Sequence, residues 1–114
     1  EGNYRFESGY KCTKKLLNLE KKPQAIFSAS DEMAIGVIRA AKELGYSIPD
    51  DLAVVGFDNI DMAKMVYPSL TTISQPLYDM GVIGMKLLTK KINKEKIDKN
   101  KIILQHKLME RESC

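Results

Sequence analysis

The sequence has few of the residues that mark catalytic or metal sites. Among 114 residues it contains no tryptophan, one histidine and two cysteines. Cys12 and Cys114 show no Cys-x-x-Cys spacing and no cluster with His106, so the pattern indicates neither a metal site nor a disulfide framework. We therefore predict no metal and two free thiols, which are typical of a reducing compartment, and we expect a cytoplasmic protein.

The sequence also lacks long apolar runs and an N-terminal pattern typical of a signal peptide. No window of about 18 uninterrupted apolar residues occurs, and no basic, apolar and small-residue series opens the chain. We therefore expect no membrane span and no signal peptide. The first residues, EGNYRFESGY, lack a methionine and enter patterned sequence at once. From this start we expect a fragment of a longer protein.

The charge is nearly balanced, with 18 Lys and Arg against 15 Asp and Glu and a net charge of +3. The excess lies mainly between Lys86 and Lys101, a stretch without aromatic residues or arginine. Nucleic-acid-binding surfaces combine basic groups with such residues, so a solvated helix end explains these lysines better than a nucleic-acid contact.

Hydrophobic spacing predicts alternating helices and strands along the chain. Residues 6–19 have a helical stripe, and 25–28 read as a short strand. At 30–32, Ser-Asp-Glu gives an N-cap and two acids for the first turn of a helix that ends at Gly45. The predicted buried face of this helix consists of Ala34, Ile35, Ile38, Ala41 and Leu44.

The second half continues the same alternation. The unbroken apolar run 52–57 is typical of a strand covered on both faces in a parallel sheet. An irregular connector follows at 61–70, then a strand at 70–74. A helix is predicted at 76–93, and a last strand at 102–109. The sequence therefore predicts an α/β fold built on a parallel sheet.

Polar residues follow two of the predicted strands. Ser30 and Asp31 come after the first strand and Asp58 comes after the second, so parallel strands place them at one edge of the sheet, where ligands bind. Asp58 can equally bond backbone amides in an Asx turn, and helix capping is an adequate role for Ser30 and for Asp31. An enzyme using Asp31 and Asp58 as a carboxylate pair is a further hypothesis. No nucleophile with a base and no glycine-rich phosphate loop accompanies the pair, so we expect no enzyme and no cofactor.

Several separated motifs match one family in order. They are YRFESGY, AIFSASDEMAIGVIRAAKELGYSIPDDLAVVGFDNI, YPSLTTISQPLYDMG and MERESC. The chain resembles the C-terminal part of LacI/GalR-family transcriptional regulators. The resemblance implies a three-layer parallel-sheet subdomain of the type I periplasmic-binding-protein kind, present as an incomplete fragment. By the same likeness, residues 1–74 form the C-terminal subdomain without its first strand and helix, 75–100 a crossover with a helix of the N-terminal subdomain, and 101–114 the returning strand.

The resemblance also implies ligand contacts at four positions. Asp58 would accept hydrogen bonds from sugar hydroxyls, and Tyr4 would stack on the ligand ring, although a tyrosine near a chain end is more often a packing residue. Ser30 stands where the family usually has Asn, so a single hydroxyl replaces an amide that offers both an oxygen and a nitrogen to the ligand. Gln75 matches a position that often reaches the cleft.

Partners follow from the same likeness. The intact protein would bind a small-molecule effector in the cleft and operator DNA through an N-terminal domain that is missing here. It would form a homodimer around the connector, where Met62, Met65 and Val66 make an apolar patch. The alternative is a periplasmic-type sugar-binding protein of a transport system, which shares the architecture.

Overall fold

The computed structural model describes residues 1–97 and 101–114, so the end of the predicted crossover, residues 98–100, lies outside the described residues. The elements run in the order α1 (Phe6–Leu16), β1 (Ala25–Phe27), α2 (Asp31–Glu43), β2 (Ala53–Asp58), α3 (Met62–Met65), β3 (Thr71–Ser74), α4 (Leu77–Ile92) and β4 (Lys107–Met109). They form two compact units. Unit 1 comprises Glu1–Ser74 and Leu108–Cys114, and unit 2 comprises Gln75–Lys107. The assignment of these units to two subdomains of a larger core stays a prediction.

The strands of the described residues form one sheet in the order β1-β2-β3-β4. β1 and β3 both run parallel to β2, with Ile26 opposite Val54 and Gly56 opposite Thr72. Parallel neighbours need a crossover connection, and α2 supplies the one between β1 and β2. The predicted α/β class with a parallel sheet is confirmed.

The core of unit 1 lies between α2 and one face of the sheet. Val54 is fully buried there, whereas Val55 and Phe57 on the opposite face of β2 are half-buried. The predicted cover on both faces is therefore complete on one face only: α2 covers the face that carries Val54 and Gly56, and the opposite face is partly covered. The buried apolar cluster consists of Leu17, Ala34, Val37, Ile38, Ala41, Leu52, Val54, Ala63 and Leu70.

Both ends of α2 lie where the sequence predicts them. Ser30 is the N-cap with φ −153°, and its Oγ accepts a hydrogen bond from the Met33 N–H at 3.2 Å. After the last turn, Gly45 adopts φ +82°, the left-handed conformation common at helix ends. The buried-face prediction is wrong at Leu44, which is 46% exposed because the helix ends at Glu43, one residue earlier.

Two other segments differ from the prediction. The connector 61–70 contains a one-turn helix, α3, because Ala63 is fully buried and its carbonyl oxygen accepts a hydrogen bond from the Leu70 N–H at 2.8 Å. The predicted strand 102–109 is shortened to β4. Ile103 is 80% exposed, and β propensity without packing does not make a strand.

The helix predicted at 76–93 is α4, the longest element of unit 2. None of its residues is buried, and its apolar side chains Leu77, Leu88 and Ile92 are 57%, 52% and 70% exposed. Neither α4 nor another described helix is long and apolar enough to cross a membrane. Unit 2 therefore presents an apolar helix face that unit 2 itself leaves uncovered.

The helices α1 and α2 approach each other at two glycines. A Cβ added to Gly9 would lie 2.2 Å from the Met33 carbonyl oxygen, and one added to Gly36 would lie 2.2 Å from the Phe6 carbonyl oxygen. Both neighbours are backbone atoms of a helix, which cannot move aside as a flexible side chain would. The close crossing of α1 and α2 therefore depends on glycine, which has no side chain, at both positions.

Replacing Gly36 by alanine should destabilise the full-length protein. Alanine is favoured over glycine in a helix by about 1 kcal/mol, but overpacking against the α1 backbone costs about 1–3 kcal/mol, so we expect a net loss. Urea denaturation measures the change, with Lys11→Ala, at an exposed position of α1, as the control. A Gly36→Ala protein as stable as wild type would show that the helices do not approach this closely.

A carboxylate on α2 adds a pH-dependent contact to the same helix pair. Glu43 accepts hydrogen bonds from the Tyr10 hydroxyl at 2.5 Å and from Arg39 Nε at 2.7 Å. The Tyr10 bond, and after it the Arg39 bond, lowers the pKa of Glu43 below its ordinary value of 4.5.

The stabilisation from Glu43 should disappear in acid. Because its folded-state pKa is lowered, the contribution is fully present above the ordinary pKa and is lost as the pH falls through the folded-state pKa. We expect wild type to melt above Glu43→Gln at about pH 6, and the difference to shrink by about pH 3. Thermal melts across this range measure it, and a constant difference would contradict the assignment.

Candidate functional site

A cavity lies at the carboxyl ends of β1 and β2. Ser30 follows β1 and Asp58 is the last residue of β2, so both stand at the same edge of the sheet, as the sequence predicts. Three predicted ligand residues, Tyr4, Ser30 and Asp58, share this cavity. Its volume is about 390 Å³ and its lining consists of Asn3, Tyr4, Arg5, Ser30, Glu32, Asp58 and Ile60.

The backbone beside the cavity adopts an uncommon conformation. Tyr4, Asp58 and Asn59 have φ values of +66°, +120° and +57°, and residues other than glycine rarely adopt positive φ. Each such residue costs on the order of 1–3 kcal/mol and persists where its surroundings enforce it. Strained residues of this kind cluster at ligand-binding and active sites. Their grouping here is a second reason to regard the cavity as a functional site.

Asp31 holds the loop that follows β2. The side chain is fully buried, its Oδ2 accepts from the Ile60 N–H at 2.9 Å and its Oδ1 accepts from the Thr72 hydroxyl at 2.5 Å. A Cβ on Gly56 would lie 2.2 Å from Asp31 Oδ1, which explains the glycine inside the apolar run. Helix capping, the role predicted for Asp31, is wrong: Ser30 is the cap, and Asp31 joins α2 to β3 and to the loop.

Asn59, the residue after Asp58, is held by hydrogen bonds from both its backbone and its side chain. Its N–H donates to Thr72 Oγ1 at 3.3 Å and its Nδ2 donates to Ser74 Oγ at 3.2 Å. Its Oδ1 accepts from Arg111 Nη2 at 2.7 Å. Sequence reasoning missed Asn59 as a supporting residue, although an amide directly after a strand-ending acid is a visible signal.

The Ser30 hydroxyl is largely used inside the protein. It donates to the Tyr4 carbonyl oxygen at 3.0 Å while accepting from the Met33 N–H, and Ser30 is 5% exposed. A hydroxyl has one hydrogen and two lone pairs, so one acceptor position remains for a ligand. Ser30 therefore positions Tyr4, whose side chain is 66% exposed and is not a packing residue.

The structure argues against the carboxylate-pair chemistry considered from the sequence. Asp31 is shielded from solvent and both its oxygens accept hydrogen bonds, so it cannot meet a substrate beside Asp58. Within residues 1–97 and 101–114, no group of three or more His, Cys, Asp or Glu side chains could hold a metal ion.

Two charged residues of the cavity lining were not predicted, and the predicted ligand residue Gln75 is not part of the lining. Arg5 and Glu32 line the cavity and approach each other at 3.8 Å, forming an exposed ion pair beside Tyr4. Their positions next to Tyr4 and in the first turn of α2 were the available signals. Gln75 follows β3 directly and is the first residue of unit 2.

The predicted dimer residues lie on and after α3. Met62 and Met65 are 56% and 78% exposed, whereas Val66 is partly buried against the core of unit 1. The exposed part of this patch is therefore made by the two methionines, and Tyr67 beside them is 77% exposed.

Comparison with known proteins identifies the family. A family model described as "Periplasmic binding protein-like domain" matches residues 1–114. Catabolite control protein A of Priestia megaterium is 46% identical over 113 residues, which are 99% of this chain and 34% of that protein.

Two solved structures share the fold. The structure named "transcriptional regulator CelR-cellobiose complex" matches with a TM-score of 0.92 and 33% identity, covering 99% of this chain and 35% of that one. A LacI family transcriptional regulator from Enterococcus faecium with bound ribose matches with a TM-score of 0.80 and 33% identity, covering 98% of this chain and 41% of that one. The chain thus spans about a third of the curated relative it matches. It belongs to the periplasmic-binding-protein-like domain family, and within that family it corresponds to part of the core of a LacI/GalR-type regulator.

Proposed function

We propose that the chain is the effector-binding and dimerisation region of a LacI-type transcriptional regulator, and that the effector is a sugar or a similar small molecule. The observation that carries this proposal is the cavity that joins Tyr4, Ser30 and Asp58 at the carboxyl-end edge of the sheet. The two solved relatives were determined with cellobiose and with ribose, which supports a sugar as the ligand class.

The cavity residues match the chemistry of a sugar. An ionised Asp58 carboxylate accepts hydrogen bonds from adjacent hydroxyls, and bonds to a charged acceptor are the stronger kind. The exposed Tyr4 ring offers an apolar face to the C–H groups of a sugar ring. Ser30 keeps Tyr4 in place, and the Gln75 amide would reach the ligand from the start of the crossover.

Unit 2 supports the proposed division of the chain. The surface of α4 carries an apolar cavity of about 820 Å³, lined by Leu77, Tyr78, Gly81, Val82, Met85, Lys86, Thr89, Lys90 and Glu95. Because α4 buries none of its own side chains, we infer that it packs against the N-terminal subdomain, which residues 75–100 would join. Residues 1–74 and 101–114 would then form most of the C-terminal subdomain.

The regulatory step would be a shift between two arrangements of the subdomains. A sugar that contacts Asp58 on one side and the N-terminal subdomain on the other binds the two arrangements unequally and changes their populations. In a homodimer this shift alters the DNA-binding heads, which couples effector binding to operator binding. Operator DNA would contact the N-terminal head, outside this chain.

The relatives favour this function over its alternatives. The two solved relatives reported above are named as transcriptional regulators, and none of the three reported relatives is named as an enzyme or as a transport protein. We therefore propose a regulator without catalytic activity or cofactor that works in the cytoplasm, rather than a periplasmic-type sugar-binding protein.

Asp58→Asn should weaken sugar binding by the full-length protein. A hydrogen bond to a charged group contributes about 1.5–3 kcal/mol, so the Kd should rise roughly tenfold to a hundredfold. Thermal-shift titrations with cellobiose, D-ribose and D-glucose find the sugar, and calorimetry measures its Kd. Asp61→Asn is the matched control, since Asp61 is 93% exposed by side chain and outside the cavity lining. If none of the three sugars raises the melting temperature, the proposed ligand class is wrong; an unchanged Kd for Asp58→Asn removes Asp58 from the site.

Met65→Lys should weaken dimerisation. Placing a charge in the methionine patch of α3 opposes burial of this surface in an interface. Sedimentation equilibrium of the full-length protein measures the dimer Kd, which we expect to rise at least about tenfold. Leu19→Lys is the control because Leu19 is 52% exposed, follows α1 and is not one of the patch residues. An equal dimer Kd in both variants would place the interface elsewhere.

A further inference from the structure

The C-terminal residues 111–113 form hydrogen bonds to β2 and β3, and we refer to these three residues as the C-terminal clamp. Ser113 is fully buried; its Oγ donates to the Val54 carbonyl oxygen at 2.6 Å and accepts from the Thr71 N–H at 2.8 Å. The Glu112 carboxylate accepts from the Ser69 N–H and hydroxyl at 2.8 and 2.9 Å, which lowers the pKa of Glu112.

Arg111 is the member of the clamp that reaches the cavity side. Its backbone N–H donates to Thr71 Oγ1 at 2.9 Å, which fixes the start of the side chain on β3. Its Nη1 donates to the Leu70 carbonyl oxygen at 2.6 Å and its Nη2 to Asn59 Oδ1 at 2.7 Å. The guanidinium group therefore bridges Leu70, the residue before β3, and the loop after β2.

The Asn59 end of this bridge is next to the proposed ligand contact. Asn59 and Asp58 both have positive φ, a conformation that needs support from neighbouring groups. Asn59 receives that support from Thr72, Ser74 and Arg111, and the Arg111 bond is the one that carries a charge. Bonds from a cation to a carbonyl oxygen are stronger than neutral ones, so Arg111 is the strongest candidate to hold the loop.

We propose that Arg111 is a positioning residue for effector binding: by holding Asn59, it keeps Asp58 in the strained backbone conformation that directs Asp58 to the cavity. The inference rests on the proposed function, because it concerns the same site. Arg111 does not line the cavity, so it acts through Asn59 rather than on the ligand. The planar guanidinium bonds two acceptors in fixed directions, whereas a lysine ammonium is a single point of charge.

Arg111→Lys in the full-length protein tests the bridge while keeping the charge. We expect the amides of Asn59 and Ile60 to exchange with deuterium about tenfold faster, since local opening of this loop becomes easier. We also expect the Kd for the sugar that shifts the melting temperature of wild type, whether cellobiose, D-ribose or D-glucose, to rise about tenfold. Arg39→Lys is the matched control: Arg39 pairs with Glu43 on α2 and is 66% exposed by side chain.

A double-mutant cycle separates positioning from general stability. Asn59→Gly removes the Asn59 partner while tolerating positive φ, and leaves Arg111 bonded to Leu70. If Arg111 acts through Asn59, Arg111→Lys has no further effect on sugar affinity in the Asn59→Gly protein. An equal effect in both backgrounds would reduce Arg111 to a structural residue and overturn the proposal. Should Arg111→Lys not fold, Asn59→Gly alone still tests the bridge, because it too should weaken binding about tenfold, and wild-type affinity would contradict us.

The outcome for Asp58→Asn distinguishes the two proposals. Weaker binding by Asp58→Asn together with wild-type exchange and affinity in Arg111→Lys would overturn the positioning role and leave the proposed site intact. Unchanged binding by Asp58→Asn would remove Asp58 from the proposed site, and with it the effect assigned to Arg111.

Discussion

The buried carboxylate of Asp31 is the constraint on which the site depends. A polar group inside a core is costly unless hydrogen bonds satisfy it, and here both oxygens accept one, from the Thr72 hydroxyl and from the Ile60 N–H. These bonds tie the first turn of α2 to β3 and to the loop after β2. The absence of a side chain at Gly56 makes room for the carboxylate. Because the arrangement costs free energy whenever one partner is lost, it fixes where the loop can lie.

The loop carrying Asp58 is held from two sides. Asp31 holds Ile60 from the helix side, while Arg111 holds Asn59 from the C-terminal clamp. Next to these points, Asp58 and Asn59 keep positive φ values that an unsupported loop would relax. In the proposed function, a ligand that bonds to Asp58 would meet a group whose direction is already set, so little ordering entropy would be lost on binding. The backbone of Tyr4 is also held in place, since the Ser30 hydroxyl donates a hydrogen bond to its carbonyl oxygen.

This chain presents the candidate site on unit 1 and an apolar helix without buried residues on unit 2. The relatives it matches are about three times as long, which agrees with a site completed by further sequence. In the proposed regulator, the cavity of unit 1 supplies acceptors and an aromatic face, and the N-terminal subdomain closes over the ligand. Such a division lets a small ligand control the relative population of two subdomain arrangements, which no single rigid subdomain could do.

The sequence by itself determined the elements whose signals are local. Ser30 and Gly45 set the ends of α2 through capping and a left-handed φ, and the apolar run before Asp58 set β2 and its polar end. It could not give the partners of Asp31 or the exposure of Leu44, nor show that Ala63 would be buried in a one-turn helix. Only the tertiary structure decided these, because the contacts of Asp31 with Ile60 and Thr72 join residues 29 and 41 positions apart, and that of Arg111 with Asn59 joins residues 52 apart. Local propensity carries no information about which distant group a buried carboxylate or guanidinium will meet, since packing of the whole sheet and its helices brings them together.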